Sequence, residues 1–331
     1  MSIHARAVRF HEVGGPDVLR IDEVRLEATG PGEVRVRVDA IGLNRAEALF
    51  RAGAYYYQPT LPGSRLGFEA AGMVEEVGPG VADFAPGDAV SVVSDEDMSR
   101  HGVYADRVVV PARSLVPRAD EVDAPTGAAV WTTYLTAYGA LMEVARVRPG
   151  DSVVITAASS GVGLAAIQIA NHLGAVPIAV TRTAAKTTRL LEAGAAHVVT
   201  GDDGDLVGQV RALTGGKGAK AVLDAVGGPG LPDRAETVAA DGTLIVYGWL
   251  DPRPAPLPMN WPLTVHGFNV DLITRDPARL SRARAFVEAG LRAGSLRPVI
   301  DRTFDLADIV RAHRHLESNT QVGKVVVTVT H

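Results

Sequence analysis

The stretch from Asp151 to Ala170 leaves this chain few ways to fold. It opens with a largely apolar run at 153–157 and passes through Ala158-Ser-Ser-Gly-Val-Gly163. It then continues as the almost wholly apolar Leu164-Ala-Ala-Ile-Gln-Ile-Ala170. The first run reads as a buried strand, the small residues as a turn, and the last run as a buried helix beginning near Val162. Gly161 and Gly163 let the backbone approach a bound group, and the N–H groups that open the helix make an anion site. Strand, glycine turn and helix in this order form the phosphate-gripping start of a dinucleotide-binding unit, here in a variant of the plain glycine fingerprint.

Beyond Ala170 the chain keeps the same rhythm. Gly174 ends the helix, and a strand comes next at 176–181. A helix at 185–193 is closed by Gly194, and strands or helices alternate at 197–200, 220–226, 232–239 and 242–248. Strands alternating with helices of this length make βαβ units and a parallel sheet. One residue conflicts with the pattern. Pro177 lies in the strand at 176–181, and proline cannot donate to a sheet ladder, so the strand must either start at Pro177 or begin later.

The first part of the chain has a different texture. Segments 5–10, 18–24 and 33–41 read as strands, several with alternating polar and apolar residues, punctuated by Gly14-Gly-Pro16 and Gly30-Pro-Gly32. Segments 67–77 and 89–93 continue a twisted, mostly antiparallel β domain, the second entered by the turn Pro86-Gly-Asp88. Past the alternating region, 277–294 reads as a helix, 302–304 as a strand, 305–316 as a helix capped by Asp305, and 324–330 as a strand. This last segment is expected to return to the first domain, leaving the nucleotide unit inserted between its two parts.

Composition narrows the function. The chain has 331 residues, for which two domains are the natural expectation, and no apolar run long enough to span a bilayer. Its start, Met1-Ser-Ile-His-Ala-Arg6, lacks the pattern of a signal peptide. There is no cysteine, which excludes disulfides, thiolate-bound zinc and a thiol nucleophile and is compatible with the cytoplasm. A net charge of -5 gives no electrostatic case for nucleic acid.

Ala40-Ile-Gly-Leu-Asn-Arg45, Arg51-Ala-Gly-Ala-Tyr55, Leu66-Gly-Phe-Glu-Ala-Ala-Gly72 and Pro86-Gly-Asp88 recur in a known order with Leu135-Thr-Ala-Tyr138, the turn at 159–163, Leu223-Asp-Ala-Val-Gly227 and Gln321-Val-Gly-Lys324. On these residues the chain resembles the medium-chain dehydrogenase/reductase superfamily, and within it the zinc-free quinone oxidoreductase branch that includes zeta-crystallin-like proteins. The resemblance covers nearly the whole chain. It implies an α/β fold in which a doubly wound Rossmann domain is inserted in a GroES-like, mostly antiparallel β domain. The implied boundaries are 1–122 for the first part of the catalytic domain, 123–264 for the nucleotide domain, and 265–331 for a last sheet strand and the return.

The departures matter as much. Zinc enzymes of this superfamily hold catalytic metal with a Cys matching Asn44, a His matching Phe68 and a later Cys. Glu69 is present, but one carboxylate does not make a site needing three protein ligands, and His313 and His315, at i and i+2, share no helix face. No metal is therefore expected. Without a Lewis acid an unactivated carbonyl is a poor hydride acceptor, whereas a quinone or enone is already electron-poor. The resemblance thus implies reduction of a conjugated carbonyl or quinone, with an enoyl thioester or unsaturated acid, or NADPH binding without catalysis, as alternatives.

The strand at 176–181 is followed by Arg182-Thr-Ala-Ala-Lys186, with no acid where NAD sites hold the ribose hydroxyls. Arg182 and Lys186 attract a 2′-phosphate, which favours NADPH. By resemblance Asn44 lies near nicotinamide and substrate, and Tyr55 supplies a pocket phenol. Thr136 lies near the nicotinamide end, Ser159, Ser160, Gly161, Val162 and Gly163 hold the phosphates, and Gly227 and Gly248 give the cofactor room at the sheet edge. Lys324 is a further cofactor candidate, and Arg45 and Arg65 are candidates for a carboxylate substrate. Three adjacent tyrosines, Tyr55 to Tyr57, cannot all face one pocket, and Leu49 stands where relatives carry a second tyrosine. An apolar strand at 266–273 is expected to pair with its copy in a homodimer.

Overall fold

Along Glu33–Leu43 the side chains of Val34, Val36, Val38 and Ala40 are buried while those between them are partly exposed, the period-two pattern of a strand with one face on a core. This strand is central to the first of two units in the computed structural model, which describes residues 3–93, 97–201 and 204–331. The first unit takes Met1–Thr132 and Pro298–His331, and the second takes Thr133–Arg297.

In chain order the first unit supplies β1 (His4–Phe10), β2 (Leu19–Arg25), β3 (Glu33–Leu43), α1 (Arg45–Arg51), β4 (Glu69–Val77), β5 (Ala89–Val93), α2 (Met98–His101), β6 (Arg107–Pro111) and β7 (Leu115–Pro117). The division falls within α3 (Ala124–Tyr138). The second unit continues with β8 (Ser152–Ile155), α4 (Gly161–His172), β9 (Val176–Thr181), α5 (Thr187–Glu192), β10 (His197–Thr200), α6 (Leu206–Leu213) and β11 (Ala219–Asp224). It closes with α7 (Leu231–Glu236), β12 (Val238–Val246), β13 (Thr264–Gly267), α8 (Asp271–Thr274) and α9 (Pro277–Arg292). Then β14 (Ile300–Asp305), α10 (Ile309–Glu317) and β15 (Lys324–Thr328) return to the first.

Among the described residues the first unit pairs β1 with β2 and builds a sheet in the order β14-β15-β3-β4-β5-β7, with β6 also on β3. Its pairings are antiparallel apart from β14 with β15. Phe10, Phe50, Leu66, Val90, Tyr104 and Val327 share its core. The second unit's sheet runs β10-β9-β8-β11-β12-β13, every neighbour parallel. Its order reverses between β8 and β11, and in open parallel sheets ligands bind outside the carboxyl ends of the strands at that reversal. Among the described residues no helix is long and apolar enough to cross a membrane.

Two local expectations are corrected. Pro177 is the second residue of β9, not the first. Its carbonyl accepts from Ala196 on the β10 side, so its missing N–H faces that side too, one residue before the β10 ladder starts at His197 opposite Ile178. No ladder bond is lost. The apolar segment at 266–273 is not one strand: β13 stops at Gly267 and α8 starts at Asp271. Phe268 and Ile273 are buried against Gly139, where an added Cβ would stand 2.5 Å from Phe268 Cζ and 2.9 Å from Ile273 Cγ1. A continued strand would send Phe268 and Ile273 to opposite faces, whereas turning into α8 buries both.

Candidate cofactor and substrate sites

The glycine turn of the second unit is assembled by local chemistry. Ala157 takes a left-handed conformation with φ of 46°, which turns the chain out of β8. Ser160 caps α4, its Oγ accepting from Gly163 N at 3.1 Å. At Gly163 a Cβ would lie 2.5 Å from the Ala158 carbonyl oxygen, so glycine alone lets the helix start this close to the turn. Lys186, in the short turn Ala184–Lys186 after β9, donates from Nζ to Ser159 Oγ at 2.9 Å. The fold therefore brings Ser159, Ser160, Gly161, Val162, Gly163 and Lys186 together, while Arg182 stands exposed at the end of β9. Thr136 is buried on α3.

A second group sits at the end of β11. Asp224 is fully buried, and its carboxylate accepts from Thr156 Oγ1 at 3.0 Å and from Gly227 N at 2.9 Å. Arg234 Nε lies 2.8 Å from the same carboxylate. Gly227 has φ of 64°, and at Gly248 a Cβ would lie 2.9 Å from the Ala225 carbonyl oxygen. Gly227 is thus required by its left-handed backbone and Gly248 by close backbone packing at this edge. Burial, with Asp224 beside it, pushes the Tyr247 phenol up from its ordinary value. Sequence reasoning singled out neither Asp224 nor Arg234 as a site residue. The one local signal was the run Leu223-Asp-Ala-Val-Gly227, because Asp readily hydrogen-bonds backbone N–H groups a few residues on.

In the first unit Asn44 follows β3 and is the N-cap residue of α1. Its Nδ2 lies 3.1 Å from Glu47 Oε1, 3.2 Å from Glu69 Oε1 and 3.3 Å from Gly42 O, and its Oδ1 accepts from Lys324 Nζ at 2.6 Å. Lys324 Nζ also bonds Glu69 Oε1, and Glu69 Oε2 accepts from Thr132 N at 3.0 Å. Lys324 is thus a buried partner of Glu69 at the first residue of β15. In this arrangement both Nδ2 hydrogens of Asn44 are directed at protein acceptors, so the amide that the resemblance offers to a substrate oxygen is already engaged.

Glu47, which sequence reasoning missed, organises the cluster. Its carboxylate accepts from Asn44 N, from Phe68 N at 3.0 Å and from Tyr104 Oη at 2.8 Å. The spacing Asn44-x-x-Glu47 is a capping-box pattern and could have revealed it. Burial pushes the Glu47 carboxyl up to about 7, against the opposing pull of Lys324 and the hydrogen bonds from Asn44 and Tyr104. Tyr55 packs edge-on to Phe50 and Tyr57, with centroids 6.4 and 5.1 Å apart, and at a tilt to Phe68 at 6.4 Å. Tyr56 is exposed, so the tyrosine run does divide between packing and surface. Arg45 donates to Leu316 O at 2.7 Å and to Asn319 Oδ1, and Arg65 lies 3.4 Å from Arg100 O.

Comparison with known proteins agrees with both halves of this description. Residues 161–285 match the family described as zinc-binding dehydrogenase, and 30–120 match the alcohol dehydrogenase GroES-like domain. A 2-haloacrylate reductase of Burkholderia sp is 32% identical, covering 97% of this chain and 98% of its own length. A mycobacterial protein complexed with NADPH superposes with a TM-score of 0.89 at 31% identity, covering 98% of this chain and 99% of that one. The Escherichia coli quinone oxidoreductase complexed with NADPH gives a TM-score of 0.87 at 28% identity, with 98% and 99% covered. With a GroES-like β unit, an inserted parallel nucleotide sheet and relatives matched end to end, the chain belongs to the quinone oxidoreductase branch of the medium-chain dehydrogenase/reductase superfamily.

Proposed function

We propose that the protein is an NADPH-dependent reductase of conjugated acceptors, quinones or α,β-unsaturated ketones, working without zinc. The observation that carries the reading is the turn at 159–163 with Lys186 bonded to Ser159, a cradle for phosphate groups with a cation at its rim and no acid after β9. The residues of the second unit fit the cofactor: Ser159 to Gly163 suit the phosphates, Lys186 and Arg182 the 2′-phosphate, and Thr136, Gly227 and Gly248 the remainder, whereas Lys324, buried against Glu69, serves to hold Asn44. When bound, NADPH supplies a hydride; the protein supplies position and electrostatics. Tyr55 takes the role of donor to the acceptor oxygen, and Asn44, held by two carboxylates and an ammonium, is a fixed contact beside it.

The donor set does not fit zinc. The sequence has no cysteine, and Asn44 and Phe68 stand at the expected ligand positions. Glu69 is bonded to Lys324, Asn44 and Thr132, and among the described residues no group of three His, Asp or Glu converges. A conjugated acceptor needs no Lewis acid, which is why the reading turns to quinones and enones. The 32% identity to a 2-haloacrylate reductase supports a second substrate class, unsaturated carboxylates, for the same chemistry.

Initial rates of NADPH and NADH oxidation by chelator-treated enzyme, with 1,4-benzoquinone, a simple enone, a crotonyl thioester and 2-chloroacrylate, test this. Turnover of quinone or enone that survives chelation, with KM for NADPH rising roughly tenfold to hundredfold in Lys186→Ala and KM for NADH hardly moving, is expected. Turnover of thioester or acrylate alone moves the protein to that class, and NADPH binding without any turnover defeats the enzymatic reading. Assembly is read as a homodimer pairing β13, the edge strand of the second sheet, with its two-fold copy. Leu257, Met259 and Trp261, each more than 70% exposed, precede that strand and are apolar surface an interface would cover. A monomer by sedimentation equilibrium would remove this part.

A further inference from the structure

Three segments at the carboxyl edge of the second unit's sheet meet at one buried ion pair. Thr156, which leads into the glycine turn, donates from Oγ1 to Asp224 Oδ1 and accepts from Ala225 N, each at 3.0 Å. Leu250 N and Asp251 N donate to Ala225 O and Val226 O at 3.0 and 2.9 Å. The loop at 224–227 is therefore joined to the phosphate turn on one side and to the chain after β12 on the other.

The ion pair then grips one peptide. Asp224 Oδ2 accepts from Gly227 N, and Arg234, reaching back from α7, donates from Nη2 to Gly227 O while its Nε lies 2.8 Å from Asp224 Oδ1 as an ion pair that is not aligned as a hydrogen bond. The Arg234 and Asp224 side chains are 10% and 0% exposed. A buried pair of this kind is weak evidence for stability, because desolvation offsets the attraction and apolar residues can fill the same space. What apolar residues cannot do is hold both the N–H and the C=O of a left-handed glycine, whose peptide is otherwise free to adopt other orientations. The pair stands beside the β8–β11 reversal, where a dinucleotide crosses the sheet edge.

We infer that Arg234 is a positioning residue: with Asp224 it fixes the Gly227 peptide, and so sets the seat of the nicotinamide half of the cofactor relative to the phosphate turn. The inference rests on the proposed NADPH function. Arg234 acts through Gly227, whereas the adenosine and phosphate end depends on Ser159 to Gly163 and Lys186. The two ends of the cofactor are therefore expected to respond differently to its loss.

The test uses the full chain with Arg234→Met and Arg234→Lys. Wild-type oxidation of NADPH is measured first, since its failure removes the proposed function regardless of Arg234. Calorimetry then gives the affinity for 2′,5′-ADP, which has no nicotinamide, and steady-state rates with C4-deuterated NADPH give kcat and its primary isotope effect. In Arg234→Met, 2′,5′-ADP affinity is expected to stay within roughly twofold while kcat falls about tenfold or more and the isotope effect rises. Arg234→Lys, which keeps a charge for Asp224 but not the forked reach to Gly227, should fall between, about threefold down in kcat. Should Arg234→Met fail to fold, the lysine variant decides alone. Unchanged kcat and isotope effect, or parallel loss of 2′,5′-ADP binding and kcat, overturns the assignment.

Discussion

His313 is fully buried in α10, and its Nδ1 accepts from Arg51 Nη1 at 2.7 Å. Arg51 also holds Glu317 and the Gly14 carbonyl, so one side chain ties α1 to α10 and to the loop after β1. Burial, reinforced by the Arg51 and Arg45 charges, lowers the imidazole to about 3. The unfolded ring titrates near 6.5, so the native state binds no proton over an interval in which the unfolded state does. The stability this group contributes is therefore present above 6.5 and lost as pH falls toward 3, at about 1.4 kcal/mol per pH unit at full slope. Glu47 has the opposite sign: its carboxyl is raised to about 7, so its contribution is lost as pH rises from its ordinary value through 7. In His313→Gln the unfolding free energy should depend less on pH between 6.5 and 5 than in wild type, by about 1.6 kcal/mol over that range; equal slopes would clear His313 of this role. Little of this was legible in sequence. Arg51 and His313 are 262 positions apart, and no local pattern links residues so far separated.

At the scale of single elements, α4 gives up helix propensity for close approach to the turn before it. Gly161 and Gly163 fill its first turn, although glycine is among the poorest helix formers. Gly163→Ala would improve propensity, yet its Cβ would press on the Ala158 carbonyl, which is backbone and cannot swing away. The variant should lose about 1–3 kcal/mol of stability and bind NADPH more weakly, read by denaturant titration and by fluorescence titration of NADPH; an alanine variant as stable and as tight as wild type would mean the close approach is unimportant. The strand-turn-helix itself was legible because the apolar runs, the small residues and the Ser160 cap all agree. The segment at 266–273 was not, since a short apolar run reads equally as strand or helix until its packing partner, here Gly139, is known.

For the molecule as a whole, the insertion of one unit into the other was written in the change from alternating strands to βαβ rhythm and back. The buried polar clusters were not, because Glu69 meets Lys324 across 255 positions and Tyr104 meets Glu47 across 57. β15 lies between β14 and β3, so it is an interior strand of the first sheet. Ending the chain at Asn319 removes it, together with Lys324. Hydrogen exchange should then find β3 losing protection by about a hundredfold or more while β8 keeps its own. Undiminished protection of β3 would show that β15 is dispensable.

That same strand sets an order of events during synthesis. Residues 133–297 are a continuous stretch and can close their sheet as soon as they leave the ribosome, but β3, made much earlier, has to wait for β15. The unit whose translation begins earlier is thus completed later, and through that interval the unpaired edge of β3 awaiting β15 is the surface a chaperone has most reason to cover.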